Sequence, residues 1–415
     1  MGRSVGEYTS VEAALSAITG RLQAPLSVET MPVRRAYGRV SASTVLATTD
    51  IPSFATSHMD GFALMSADTK SASNSHPVRF TIKGEAGPGT KPSHQVEHGE
   101  AFQVATGAYL PGGADAVVPR EQADVRGREI ELRSPLERGS HVYGAGEDMR
   151  RGQVILSQGD VIRAQDIGLL VAMGFTKVEV RRKPRVSLIA TGSELSTAGS
   201  PKAGKVRDSH SPILLTLLKA SGCAPLNMGI AGDNSRELAM LLRKGLEASD
   251  FVITLGGTSA GKKDLVVDVV STLGPECLFH GIKLDRGRVT AVACLRGKPI
   301  LMLPGPIQAA MNAFFVLGVS LVQTLSGSNE VGLEVACRMA KDWEPRKRFA
   351  GFQKVVYVKL TRTQPTTAEP LAAETESLKL LADADGYVVV PEEVSRLAAG
   401  SIVRVKLLPG FSYVS

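Results

Sequence analysis

The stretch Phe251-Val252-Ile253-Thr254-Leu255 runs into Gly256-Gly257-Thr258-Ser259-Ala260-Gly261-Lys262-Lys263-Asp264, and a helical pattern follows over Leu265–Leu273. A short apolar run that stops at glycines and gives way to an amphipathic helix marks a buried strand of a parallel sheet. Working outward, Val186–Ala190 runs into Thr191-Gly192-Ser193-Glu194-Leu195, and Ile300–Leu303 into Pro304-Gly305-Pro306. Helical stretches Pro212–Ser221, Ser235–Glu247 and Ile307–Thr324 alternate with these runs, and Asn234 with Glu237 is spaced as a capping box. The alternation predicts a doubly wound α/β domain whose ligands sit beyond the carboxyl ends of its strands.

The flanks read differently. Ser10–Leu22 has Val11, Ala14, Leu15 and Ile18 on one helical face, with Ser10 as N-cap. From Val78 to Leu132, short runs such as Phe102-Gln103-Val104 alternate with Gly and Pro turns, which predicts a β-rich module; Ser71–Ser75 is an exposed loop. After Val331 strands dominate, at Lys354–Leu360, Tyr387–Val390 and Ser401–Leu407, and predict a small all-β terminal domain.

Composition narrows the function classes. A chain of 415 residues corresponds to about three domains. With 43% hydrophobic and 21% charged residues it reads as a folded soluble protein. An aromatic share of 5% argues against a surface that stacks nucleic-acid bases. Lys and Arg exceed Asp and Glu by 48 − 41 = 7, which favours anionic ligands without selecting one. Cys223, Cys277, Cys294 and Cys337 are too widely spaced for a zinc knuckle or a disulfide framework, so reduced thiols are expected. His94 and His98 lack a partner motif and read as loop residues. The segment Met1–Gly20 has neither a secretion nor a myristoylation pattern. Ala309–Val322 is shorter than the roughly 20 residues of a membrane span, and Asn312 interrupts it. A cytoplasmic protein with one buried apolar helix is expected, with neither nucleic acid nor membrane as partner.

The chemistry is expected in the strand-end loops. Their glycines let backbone N–H groups approach an anion, and a following helix adds the positive end of its dipole. Gly256 and Gly261-Lys262 satisfy most of a Walker A pattern, but Lys263 stands where Ser or Thr would hold magnesium, which argues against a nucleoside triphosphatase. Glu194 and Asp264 lie in or just after two of these loops, and Asp233 follows a strand end predicted at Gly229-Ile230. Carboxylates beside an anion site are explained by a divalent cation between them, so a magnesium-assisted reaction of a phosphorylated or oxyanionic substrate is expected.

Further segments identify a family. Ser57-His58-Met59-Asp60-Gly61-Phe62-Ala63 resembles the M-D-G-[YF]-A segment of the molybdopterin molybdenumtransferases (MoeA-type proteins and the C-terminal domain of gephyrin). Thr106-Gly107-Ala108 through Gly113–Val118, Gly146-Glu147-Asp148-Met149-Arg150, Thr191–Leu195, Gly256–Gly261 with Asp264, and Leu303-Pro304-Gly305 match the family in order. The resemblance covers nearly the whole chain.

It implies an elongated protomer that forms a homodimer. Its four parts would be residues 1–50 with 145–182, an inserted β-rich domain 51–144, a molybdopterin-binding α/β domain 183–327, and a β-barrel 328–415. The active cleft would lie between the α/β domain of one subunit and the inserted module of its partner. The implied reaction inserts molybdenum from molybdate into adenylylated molybdopterin, releasing AMP with magnesium assistance.

By position, Asp60, Asp148, Glu194 and Asp264 are the implied catalytic residues. Thr106, Thr191, Gly192, Asp233, Gly256, Gly257, Ser259, Gly261, Arg288, Pro304 and Gly305 are implied substrate contacts, and Glu194, Asp233 and Asp264 the magnesium ligands. The chain departs from the family pattern K-P-G-K-P-T at Asp285-Arg286-Gly287-Arg288-Val289-Thr290, and from P-G-N-P at Pro304-Gly305-Pro306-Ile307. The usual Asp-Asn before the M-D-G segment is Ala55-Thr56. An alternative from another class is a dimeric scaffold that binds pterin without inserting metal, and a further one is a related enzyme using another oxyanion such as tungstate.

Overall fold

The computed structural model describes residues 7–90, 92–196, 204–258, 264–330, 332–345, 349–361, 366–372 and 376–409. They form two compact units: Thr44–Ser157 with Gly168–Thr176, and the rest of the described chain.

The larger unit contains a six-stranded sheet in the spatial order Ala224–Ala231, Arg185–Thr191, Phe251–Leu255, Lys298–Leu303, Ala291–Leu295, Cys277–His280. The first four strands are parallel. The last two pair antiparallel, so the sheet is mixed where the sequence pattern predicts a parallel one. The reversal has a local cause. Arg296 and Gly297, at φ +55° and +69°, make a two-residue turn with both central residues left-handed, the geometry that joins antiparallel strands directly.

Successive side chains of a strand point to opposite faces, and both faces here are covered, which is why the strands read as unbroken apolar runs. On one face Leu188, Ile253, Leu301 and Leu303 pack with Leu214, Leu218 and Phe314. On the other, Ile189, Val252, Ile300 and Met302 pack with Leu238, Leu242, Val266 and Val270. The covering helices are His210–Ala220, Ser235–Ala248, Leu265–Thr272 and Ile307–Ser326. Asn234 caps Ser235–Ala248 by accepting from the N–H groups of Arg236 and Glu237. The Glu237 carboxylate turns to the Gly232 N–H at 3.1 Å instead of closing a reciprocal capping box.

Helix Ile307–Ser326 is 20 residues long, longer than its sequence pattern predicts, and is long and apolar enough to cross a membrane. Of its most apolar window, 78% is buried inside the protein, as expected of a core helix. In the same unit, five strands close into a barrel in the order Glu334–Met339, Thr367–Pro370, Lys354–Thr361, Gly386–Val390, Ile402–Leu407. The N-terminal helix Val11–Thr19 is capped by Ser10, whose hydroxyl accepts from the Ala13 N–H. The four cysteines are free, and burial pushes the Cys223 thiol up to about 12.

The smaller unit is β-rich. Its main sheet has the order Ala116–Pro119, Gly61–Leu64, Glu100–Val104, Val78–Ala86, Glu129–Leu132, Asp124–Arg126. It opens at Gly61, ahead of the Val78 start that the sequence texture suggests. Gly61 lies where the neighbouring strand passes: a Cβ there would stand 2.0 Å from the Val118 carbonyl oxygen. Backbone cannot yield as a side chain can. Gly61→Ala is expected to destabilise this unit by roughly 3 kcal/mol, and urea unfolding of the variant measures it; a loss within experimental error would contradict the packing.

Candidate functional site

In the smaller unit, Asp60 ends the turn that leads into strand Gly61–Leu64. Its Oδ1 accepts from the Thr106 N–H at 2.7 Å and from the Thr106 hydroxyl at 2.9 Å. The backbone bond, then the hydroxyl, hold the Asp60 carboxyl below the ordinary carboxylate range, with Arg120 adding to the effect. The turn itself is pinned: the Ser57 N–H donates to the Ala108 carbonyl and the Gly107 N–H to the Ser57 carbonyl. The structure thus brings Asp60 and Thr106 together as an exposed, ionised acceptor. Asp148 lies on a separate exposed loop of this unit, whose N–H donates to the Ile51 carbonyl.

In the larger unit the chemistry gathers at the carboxyl edge of the sheet. Thr191 ends its strand buried, at 6% exposure, and its hydroxyl donates to the Leu255 carbonyl at 3.3 Å. Gly256 is left-handed at φ +95°, and a Cβ on it would lie 2.7 Å from the Thr191 carbonyl oxygen. On Gly257 (φ +72°) a Cβ would lie 2.9 Å from the Thr191 hydroxyl. The Gly256 N–H donates to the Leu303 carbonyl, and a Cβ on Gly305 would come within 3.9 Å of the Gly256 Cα. Three strand-end loops therefore meet with backbone against backbone, and Pro304 is buried among them. Gly192 is held differently, by a backbone φ of +144° that side chains rarely adopt, with the movable Glu194 carboxylate beside it.

The acidic residues are distributed around this edge. Glu194 and Asp233 are exposed on adjacent loops, linked by the Ser193 hydroxyl, which accepts from the Asp233 N–H at 2.9 Å. Lys205 donates to the Ser193 carbonyl beside them. Asp264 stands before helix Leu265–Thr272 without capping it, and its buried Oδ1 has no partner among the described residues. Burial raises the Asp264 carboxyl above its ordinary value; Asp268 adds to this and His280 opposes it. Among the described residues, no three His, Cys, Asp or Glu side chains stand together as a ready-made metal site, so Glu194, Asp233 and Asp264 are not preassembled. Ser259 and Gly261 lie outside the described residues.

Sequence reasoning passed over His280. It ends strand Cys277–His280, which runs the same way as the parallel strands because it is antiparallel to a strand that is itself reversed. His280 therefore emerges on the ligand edge. Its Nε2 lies 4.0 Å from Asp264 Oδ2 and is likewise buried without a hydrogen-bond partner among the described residues. Two such unpartnered polar atoms on neighbouring side chains are unusual in a folded protein. Arg288, in the loop that follows, stacks its guanidinium 5.3 Å from the centre of the Phe349 ring.

The sequence and fold have known counterparts. Residues 9–174 match a family profile described as MoeA N-terminal region (domain I and II), residues 187–324 one described as Probable molybdopterin binding domain, and residues 336–408 one described as MoeA C-terminal region (domain IV). A molybdopterin molybdenumtransferase of Staphylococcus epidermidis is 30% identical over 379 residues, covering 91% of this chain and 90% of that protein. Its Staphylococcus aureus counterpart is 29% identical over 390 residues, covering 93% and 92%. The crystal structure of a molybdopterin biosynthesis MoeA protein from Pyrococcus horikoshii superposes with a TM-score of 0.82 at 29% identity, covering 98% of this chain and 100% of that one.

Two measurements test the electrostatics. A carboxyl whose folded pKa exceeds its unfolded one destabilises the fold at all pH above the unfolded value, about 3.9, and the penalty vanishes on acidification below it. Asp264→Asn should therefore melt roughly 1–3 °C higher than the parent at pH 7, with the gain gone by about pH 3; calorimetry showing no gain at pH 7 would refute the burial argument. For Asp60 the sign is opposite. Thr106→Val should move its titration midpoint up, though not fully to the ordinary value because the backbone N–H remains, as followed by carboxyl-carbon NMR. An unmoved midpoint would mean the hydroxyl contact is absent in solution.

Proposed function

Because the chain belongs to the molybdopterin molybdenumtransferase family, we propose that it inserts molybdenum from molybdate into adenylylated molybdopterin, releasing AMP, as a transferase of molybdenum cofactor biosynthesis. The observation that carries this reading is the meeting of three glycine loops around Thr191 at the carboxyl edge of the sheet, rimmed by acidic residues. Backbone polar groups with no side chain over them suit phosphate and oxyanion oxygens.

The residue roles follow from charge and position. Thr191, Gly192, Gly256 and Gly257, with Ser259 and Gly261 of the same loop, would cradle the pterin phosphate. Pro304 and Gly305 would shape the molybdate pocket, and Arg288 would supply it with positive charge. Asp60 and Asp148 are assigned catalytic roles, with Thr106 keeping Asp60 ionised and oriented. Glu194 and Asp264 serve catalysis from the sheet edge, and Asp233 contacts substrate.

Magnesium fits the residues present. The unpartnered oxygen of Asp264 is the acceptor a hard cation seeks. Asp264 would hold the ion with Glu194 and Asp233. Substrate phosphate oxygens would complete the shell, as is usual for an ion that protein cages seldom enclose alone. When bound it would neutralise charge on phosphate and oxyanion. The same three carboxylates can instead accept from pterin ring N–H groups.

The reading includes a cytoplasmic homodimer and the four-part division at residues 50, 144, 182 and 327.

Purified protein with adenylylated molybdopterin, molybdate and magnesium should release AMP and yield mature cofactor. Asp264→Ala and Asp60→Ala should each lower that rate about a hundredfold or more, and chelation should abolish it. Variants as active as the parent would sink the assignments. Pterin binding with no AMP release by the parent would sink the enzyme reading and leave a binding protein.

A further inference from the structure

Asn312 is the polar residue that interrupts the apolar helix Ile307–Ser326, and it is 2% exposed. Its side chain is fully engaged. Nδ2 donates to the backbone carbonyls of Asp285 at 3.3 Å and Arg286 at 3.0 Å. Oδ1 accepts from the Tyr357 hydroxyl at 2.9 Å. With carbonyl acceptors on one side and a hydroxyl donor on the other, the amide has one sensible orientation. Tyr357 belongs to barrel strand Lys354–Thr361 and is 4% exposed. Burial raises its phenol far above neutrality, so it remains a donor throughout the working range.

The segment this relay holds is the one that carries Lys283, Asp285, Arg286 and Arg288. It takes conformations that need support. Arg286 is left-handed at φ +47°, a region side chains seldom occupy. A Cβ on Gly287 would lie 2.6 Å from Leu284 Cδ2. Residue Gln353 brackets the segment, donating its N–H to the Lys283 carbonyl and accepting from the Asp285 N–H. Asn312 reaches two successive carbonyls of the turn, and Asn312 is fixed in turn by Tyr357.

We propose that Tyr357 and Asn312 are positioning residues for oxyanion capture: the phenol fixes the amide, and the amide fixes the turn that aims Arg286 and Arg288 at a tetrahedral dianion. This rests on the proposed function, and it assigns the C-terminal barrel a part in the anion site that no motif in the barrel announces. Neither residue touches substrate. Both act through the backbone of residues 285 and 286.

The test uses the full-length protein. Tyr357→Phe keeps the buried ring and removes the hydroxyl; Asn312→Leu removes the amide at similar volume. Losing one buried hydrogen bond of this kind is expected to raise the KM for molybdate three- to tenfold, roughly, in Tyr357→Phe. Its kcat should stay within about twofold and its KM for adenylylated molybdopterin unchanged. Asn312→Leu should do the same more strongly. Amide exchange at residues 285–288 should quicken in both variants. Equal shifts in both KM values, or an unchanged molybdate KM with a lowered melting temperature, would reduce the relay to a packing role and overturn the proposal. If the parent releases no AMP, the functional reading fails on its own, and the exchange rates alone decide the relay: unaltered exchange refutes it.

Discussion

The ligand edge depends on one steric constraint. The carbonyl and hydroxyl of Thr191 occupy the space that side chains on Gly256 and Gly257 would need. Bare backbone is what lets Gly256 and Gly257 pack directly against Thr191, and the same closeness brings Gly305 over Gly256. The sheet beneath is packed on both faces, so the loops rest on a rigid base. Function on such a fold resides in what the strand ends present rather than in the sheet.

Two carboxylates show how environment divides the acidic set. Asp60 is exposed and accepts twice from Thr106, which keeps it charged. Asp264 is half-buried, short of donors and driven toward the neutral form. Opposite shifts of this kind are a common mark of groups with different duties. Asp264 gains most from a cation or a ring N–H, because only an added partner satisfies its buried oxygen. Fold stability and ligand readiness therefore pull against each other at this residue.

Much of this was readable from the chain. The strands Arg185–Thr191, Phe251–Leu255 and Lys298–Leu303 are covered on both faces, and that coverage imprints continuous apolar runs. The glycine loops, Glu194 and Asp264 were visible at their ends for the same reason. Barrel strands Glu334–Met339 and Thr367–Pro370 were not, because the first mixes buried and exposed positions and the second is only four residues long. His280 was missed because its strand, Cys277–His280, is half-buried throughout and too short for its Cys-Leu-Phe run to stand out. Asn312 stood out as a polar interruption, yet its partners lie 26, 27 and 45 residues away, beyond any local pattern.

The hairpin at Arg296-Gly297 has a consequence for how such a site can grow. Strand Cys277–His280 is reached through helix Leu265–Thr272, but the step from it to the next parallel strand, Lys298–Leu303, needs no helix: the chain turns back through loop 281–290, descends Ala291–Leu295 and reverses at Arg296-Gly297. Loop 281–290 thereby joins the rim as a fifth loop, in a place where a direct parallel connection would require a second crossover. Grafting a meander onto the outer strand is accordingly an economical route for widening the ligand range of a sheet of this type.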